Sequence, residues 1–315
     1  MILVTGADGF VGLHLCNALF LANVPFKAAT RQSKNLIGCN IYSNAVGDID
    51  ANTDWGQALH GCSTVIHLAA RAHVLHEESR DPAILFRNVN VDGALSLARA
   101  AVRAGVKRFV FVSSIGVLGN KNSVPFDQGS MPNPQELYAI SKLDAENSLK
   151  KLAGETGLEL VIVRPPLIYG PGNPGNFLRL LKLLSLGLPL PFSSIVNLRS
   201  FVGVENLSDF LIRCAQHPLA SGETFLIADG EDVSLPDLLR GLAVGLGIKA
   251  RLFAFPLSLM LAIAGLLGKR ITVEKLFSGL RVDAGYARNK LDWKPPVPLQ
   301  EGLQRTGDWY RKELK

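Results

Sequence analysis

Tyr138 and Lys142 stand four residues apart in YAISK, a stretch that reads as helix, so both side chains fall on one helical face. A free tyrosine ionises near about 10 and is a poor acid or base at neutral pH. An ammonium beside it stabilises the phenolate and draws its pKa towards the working range. Ser114, in the pair Ser113-Ser114 that ends an apolar run, can offer a hydroxyl to the same substrate oxygen. Tyr, Lys and Ser around one oxygen can move a proton while a redox cofactor moves a hydride. By itself Y-x-x-x-K also fits a surface pair on a helix.

The elements that must position these groups begin at the N-terminus, MILVTGADGFVG. A short apolar run at 2–4 reads as a buried strand, and an apolar-periodic stretch at 11–21 reads as a helix. Between them Gly6, Gly9 and Gly12 recur every third residue. Gly6 permits the tight turn, Gly9 lets the backbone approach a pyrophosphate, and Gly12 lets helix and strand pack closely. The helix N-terminus then presents free N–H groups and a positive dipole end to the anion. The spacing is G-x-x-G-x-x-G, one residue wider at its first step than G-x-G-x-x-G.

Further along, 26–30 reads as a strand ending in Arg31, where many dinucleotide sites carry an acidic residue for the ribose 2′-OH. An Arg there suits a 2′-phosphate or is simply solvated. Asp48-Ile49 closes another short strand, from which a carboxylate can reach an adenine edge. A helix is expected over 55–59. A buried strand, STVIHLAA at 63–70, ends in small residues that let backbone pass close to a cofactor, and His67 within it reads as a core histidine. Helical periodicity runs over 81–104, where Asn90 must find a hydrogen-bond partner among apolar neighbours. A strand at 108–112 leads into Ser113-Ser114. Strands alternating with long helices predict a parallel sheet covered on both faces, with ligands beyond the strand C-termini. The glycine turn, Arg31, Asp48, Ala69-Ala70 and Ser114 all fall at such ends.

Together these segments resemble the extended short-chain dehydrogenase/reductase family, in its branch of NAD-dependent nucleotide-sugar epimerases and dehydratases. TGADGFVG at 5–12 matches the cofactor turn, including Phe10 and Val11. GDID at 47–50 matches the adenine-site strand, with Asp48 and Ile49, and HLAA at 67–70 the next cofactor contact, Leu68 to Ala70. NVNVDGA at 88–94 places Asn90 at the cofactor-helix asparagine. SSIGVLG at 113–119 places Ser114 at the catalytic hydroxyl, and YAISK supplies Tyr138 and Lys142 for both catalysis and cofactor binding. RPPLIYGPG at 164–172 resembles the link to the substrate domain. LRSFVGVENLSD at 198–209 resembles a segment in which Arg199 meets the nucleotide diphosphate, and NKLDWKPPVPLQEGL at 289–303 the family ending.

The resemblance implies a Rossmann-type doubly wound parallel α/β sheet over 1–165. A smaller C-terminal α+β substrate domain follows over 166–315, with two placements open for 199–210, in that domain or back in the main sheet. It implies NAD(H) or NADP(H) as cofactor, a UDP-sugar bound through Ser114, Tyr138 and Arg199, and a homodimer serving surface-polysaccharide (O-antigen) synthesis. Three departures shape the reaction expected. Ile115 follows Ser114 where dehydratases use Asp-Glu. Leu167 replaces the Asn of galactose-type epimerases, and Gly203 stands where a His is usual. With Arg31 and no acidic residue at its strand end, these favour NADPH-dependent reduction of a UDP-4-keto-6-deoxy-N-acetylhexosamine. A UDP-glucose or UDP-N-acetylglucosamine 4-epimerase with retained NAD is the alternative. C4 epimerisation of a lipid-linked sugar and a non-catalytic dinucleotide sensor are further alternatives, the sensor disfavoured by the intact Ser–Tyr–Lys set.

The composition suits this reading. Of 315 residues, 48% are hydrophobic and 19% charged, which excludes disorder. The net charge of +6 comes without a Lys/Arg block, so nucleic acid is not the expected partner. Cys16, Cys39, Cys62 and Cys214 lack metal or redox spacing and read as reduced packing residues of a cytoplasmic protein, and no metal site is expected. The first strand begins at residue 2, which leaves no room for a signal peptide. One stretch, LFAFPLSLMLAIAGLLG at 252–268, carries no charge. Pro256 breaks it and it is shorter than the about 20 residues of a spanning helix. A buried or interfacial helix is expected, with peripheral membrane contact as a possible role.

Overall fold

The computed structural model describes residues 1–36, 39, 41–72, 81–266, 268 and 277–313. Its centre is a seven-stranded, wholly parallel sheet in the order β11-β8-β7-β6-β1-β2-β5. The strands are β1 (Ile2–Thr5), β2 (Phe26–Thr30), β5 (Asn44–Ala45), β6 (Thr64–His67), β7 (Arg108–Val112), β8 (Glu159–Arg164) and β11 (Thr224–Leu226). Two short strands, β3 (Asn35–Leu36) and β4 (Ile41–Tyr42), form an antiparallel hairpin apart from it. The main strands are continuous apolar runs because helices cover both faces. The chain reverses direction across the sheet between β1 and β6, which places the glycine turn after β1 at the switch point where such sheets bind ligands.

On one face lie α1 (Phe10–Leu21) and α7 (Val204–Gln216), whose Leu15, Leu19, Leu207, Phe210 and Leu211 close over Val4, Val110 and Val161. On the other lie α2 (Gly56–Leu59), α4 (Ala94–Arg103) and α5 (Leu137–Thr156), which bury Leu97, Ala101, Ala145 and Leu149 against Leu3, Phe109 and Ile162. The helical stretch expected over 81–104 is divided. It comprises α3 (Pro82–Arg87), capped by Asp81, then a π-helical turn at Asn88–Gly93, then α4. A π turn adds one residue to the helical register, and such turns gather at functional sites.

A second sheet, β12-β10-β9, joins β9 (Leu167–Tyr169), β10 (Arg199–Gly203) and β12 (Asp232–Val233). With α6 (Asn176–Ser185), α8 (Leu235–Leu246) and α11 (Leu299–Glu313) it encloses a separate core around Phe177, Phe201, Leu239, Leu242 and Leu303, whereas α10 (Gly285–Leu291) buries Ala287 and Leu291 in the core of the main sheet. Ser234 caps α8, accepting from Asp237 N, and Gly247 ends it in the left-handed conformation at φ +68°. The segment 199–210 does not add a strand to the main sheet. Its strand β10 belongs to the second sheet, its helix covers the first, and the strand that returns is β11.

The apolar stretch at 252–268 is described as far as 266 and at 268. It forms α9 (Leu257–Leu266), which starts just after Pro256. The helix is not buried: Leu257, Leu259 and Leu266 are 46%, 51% and 90% exposed. No helix among the described residues is long and apolar enough to cross a membrane.

Candidate active site

The glycine turn is shaped by contact. Gly6 adopts φ +64°, and a Cβ there would lie 2.8 Å from Ala69 N. A Cβ on Gly12 would lie 2.1 Å from Gly6 O, so only glycine lets α1 sit this close to β1. No side chain caps the N-terminus of α1, whose first turn carries no acidic residue. Its N–H groups are therefore available to an anion. This cradle, with Leu68 to Ala70 packed beside it, fits the pyrophosphate of a dinucleotide.

His67 is buried as expected, its Nδ1 2.7 Å from Thr5 Oγ1. Burial away from water holds the imidazole neutral, with its pKa lowered to about 3. Asn90, on the π turn, finds its partners across the fold. Its Oδ1 accepts from Arg71 N at 2.8 Å, and its Nδ2 donates to Arg71 O at 3.0 Å and Ser141 Oγ at 2.9 Å. Ser141 Oγ in turn donates to Tyr138 O at 2.8 Å. The loop beyond β6 is thus tied to the first turn of α5, the turn that carries Tyr138. Sequence reasoning did not single out Ser141, which lies between Tyr138 and Lys142 on the same helix.

Lys142 is fully buried and donates to Val112 O at 2.8 Å, with its Nζ 4.5 Å from the Phe111 ring centroid and 5.9 Å from that of Tyr138. Loss of water lowers its pKa to about 7, opposed by the negative charge of Glu146 one turn along α5. Tyr138 differs from the expectation: desolvation pushes its hydroxyl up to about 12. The ammonium is spent on the Val112 carbonyl and the ring face of Phe111, so the phenol keeps its proton and stands as a donor. Ser114 lies two residues beyond the end of β7, and its Oγ accepts from Gly116 N at 3.1 Å, which leaves the hydroxyl proton free to face a substrate oxygen.

Glu146 was not singled out by its sequence context either. It is fully buried and bonded twice by Arg164, Nε to Oε1 at 3.0 Å and Nη2 to Oε2 at 2.5 Å. The pair fastens α5 to the end of β8, and so fixes the helix face that carries Tyr138 and Lys142.

The adenosine end differs more. The strand expected to close at Asp48-Ile49 stops at Ala45, and 47–50 continues as loop. Ile49 packs there against Gly93 of the π turn, where a Cβ would lie 2.5 Å from Ile49 Cγ2. Asp48 folds back on Arg31, Nε to Oδ1 2.7 Å, both side chains exposed. An acidic residue therefore does sit at Arg31, contrary to the expectation from the strand end alone. Lys34 reaches the glycine loop and pairs with Asp8 at 2.5 Å.

Arg199 opens β10 in the second sheet, and burial lowers its pKa. It bridges to Leu280, which sets Arg281 next to it in the chain register. Arg281 Nη2 donates to Ser123 O at 2.5 Å and its N–H to Asn122 Oδ1 at 2.9 Å, on the loop that follows Ser114. Gly203 has a structural setting: its N–H donates to both oxygens of Asp229 at 3.0 Å, beside Tyr169 Oη and Asn206 Nδ2, which also reach that carboxylate at 2.8 and 2.7 Å. A Cβ on Gly203 would stand 3.3 Å from Tyr169 Oη, so this knot leaves little room for a histidine. Leu167 is 47% exposed on β9. Among the described residues no cluster of metal-ligating side chains occurs.

A family model described as the NAD dependent epimerase/dehydratase family matches residues 2–228. The chain is 40% identical over 309 residues to the UDP-glucose 4-epimerase of Vibrio cholerae, covering 97% of this chain and 94% of that protein. It is 28% identical over 318 residues to the N-acetyl-alpha-D-glucosaminyl-diphospho-ditrans,octacis-undecaprenol 4-epimerase of Escherichia coli O157:H7, covering 97% and 93%. Among solved structures, MoeE5 in complex with UDP-glucose and NAD superposes with a TM-score of 0.78 at 25% identity, over 100% of this chain and 99% of that one.

Proposed function

The chain belongs to the NAD-dependent epimerase/dehydratase family, and on that premise we propose that it transfers a hydride at C4 of a UDP-sugar. The observation that carries this is the convergence of Tyr138, Lys142 and Ser114 beyond the C-terminal end of β7, with the glycine cradle two strands away in the same sheet. A bound nicotinamide dinucleotide, NAD(H) or NADP(H), supplies the hydride acceptor or donor. The chain's own residues do the rest. Gly6, Gly9 and Gly12, with Phe10 and Val11 at the N-terminus of α1, hold the pyrophosphate. Leu68 to Ala70 and Asn90 wall the cofactor site, and Ile49 and Asp48 border the adenosine end. Tyr138 gives a proton to, or takes it from, the C4 oxygen, with Lys142 Nζ 5.9 Å from its ring centroid. Ser114 donates to the same oxygen. Arg199 binds the diphosphate of the sugar nucleotide.

Residues 1–165 with α7 and β11 form the cofactor domain in this proposal, and most of 166–315 forms the substrate domain. Within the C4 chemistry, reduction of a UDP-4-keto-6-deoxy-N-acetylhexosamine is the reading we favour. Its support is Arg31 at the β2 end, Leu167 on β9, and Gly203 locked in the Asp229 knot. A 4-epimerase with retained NAD is the second reading, favoured by the activity named for the Vibrio cholerae relative. Loss of NADPH absorbance with the 4-keto sugar supports reduction. Interconversion of UDP-N-acetylglucosamine and UDP-N-acetylgalactosamine without added cofactor, with NAD released on denaturation, overturns it in favour of the epimerase.

A further inference from the structure

We propose that α9 and the basic residues that precede it, Lys249 and Arg251, seat the protein on an anionic lipid surface. The helix LSLMLAIAGL holds no charged residue, and two exposed leucines seven residues apart share one face of it: Leu259 is 51% and Leu266 90% exposed. The apolar surface continues into the segment before it. Leu190 N donates to Arg251 O at 2.8 Å and Phe253 N to Leu190 O at 3.0 Å, so the exposed Phe253 and Leu188 lie along the same edge of the substrate domain. A patch of this kind on a soluble chain marks an interaction surface.

Charge decides the occupant. Between Asp237 and the end of α9 the chain carries Arg240, Lys249 and Arg251 and no acidic residue. Lys249 and Arg251 are exposed and directly precede the apolar run. Arg240 is held in an ion pair by Asp237. Bases beside an uncharged apolar helix match a bilayer surface, where leucines enter the acyl boundary and ammonium and guanidinium groups meet anionic headgroups. Ten residues rise about 15 Å, half the hydrocarbon thickness of about 30 Å, so the helix lies in one leaflet and does not span. The inference does not depend on which sugar is turned over, and a lipid-linked substrate is not required by it.

The test uses the purified full-length protein sedimented with vesicles of phosphatidylcholine alone or mixed with phosphatidylglycerol. Binding is expected on the phosphatidylglycerol vesicles and to weaken as salt is raised. Leu259→Glu, at an exposed position, should weaken it about tenfold. The double variant Lys249→Glu/Arg251→Glu should lose the salt-sensitive part while α9 stays apolar. Unchanged binding of a nicotinamide dinucleotide reports that each variant is folded. Failure to bind either vesicle, binding indifferent to lipid charge, or binding unaffected by Leu259→Glu would each overturn the proposal. So would self-association of the wild type that Leu259→Glu abolishes, which would assign the face to a second copy of the chain.

Discussion

Arg31 and Asp48 form an ion pair of 2.7 Å at the adenosine end of the sheet, across seventeen residues of chain. Both are exposed, so water and salt screen the pair and it adds little to stability. Its consequence is for selectivity, because a 2′-phosphate must compete with Asp48 for the guanidinium. Arg31→Ala should raise the KM for NADPH about tenfold while changing the KM for NADH little. Asp48→Ala should move the ratio the other way. Equal effects on the two cofactors would remove Arg31 from cofactor choice.

Tyr138 is the proposed proton donor, with a hydroxyl that desolvation keeps protonated. Tyr138→Phe removes the proton and keeps the ring that packs near Phe86 at 6.5 Å. Turnover should fall by about 10²–10⁴. Dinucleotide affinity, followed by protein fluorescence, should change little. Turnover above a tenth of wild type would show that another group moves the proton.

Lys142 titrates near 7 in the folded protein without cofactor, below the ordinary lysine value of 10.5. From about pH 7 upward the unfolded chain therefore binds more protons at this site than the folded one. Stability should rise with pH through this window, and the gain should be absent below the folded pKa. Above about pH 8.5 cysteine ionisation in the unfolded chain opposes it. Lys142→Met has no such proton to release, so its melting temperature should be flatter between pH 7 and 8.5. A wild-type slope equal to that of the variant would contradict the lowered pKa. The same variant should lose turnover.

The Arg164–Glu146 pair is buried at both ends, 8% and 0% exposed. Removing one partner strands the other charge, so Glu146→Leu should cost about 3–5 kcal/mol in urea unfolding. Glu146→Leu/Arg164→Met should recover most of that loss, because neither charge then stays buried alone. Recovery of stability without turnover in the double variant would show that the pair also positions Lys142. Equal loss in single and double variants would mean that packing, not charge, sets the cost.

The sequence by itself determined whatever depends on short-range regularity. Strands β2 and β7 run where alternation and turn residues predict them, α1 follows the glycine turn, and four-residue spacing alone puts Tyr138 and Lys142 on one face. Backbone sterics and helical period act over a few residues, and those are written in the chain. Tertiary structure decided what depends on partners distant in sequence. Asn90 meets Ser141 fifty-one residues away, Leu280 bridges to Arg199, Asp48 folds onto Arg31, and β11 rather than β10 completes the sheet. Burial belongs to the same class. An apolar run is equally apolar whether the fold covers it or leaves it in water, so only the packed chain shows that Phe210 lies in the core and α9 on the outside. The protonation of Tyr138 follows from that too, since desolvation is a property of the surroundings and not of the residue.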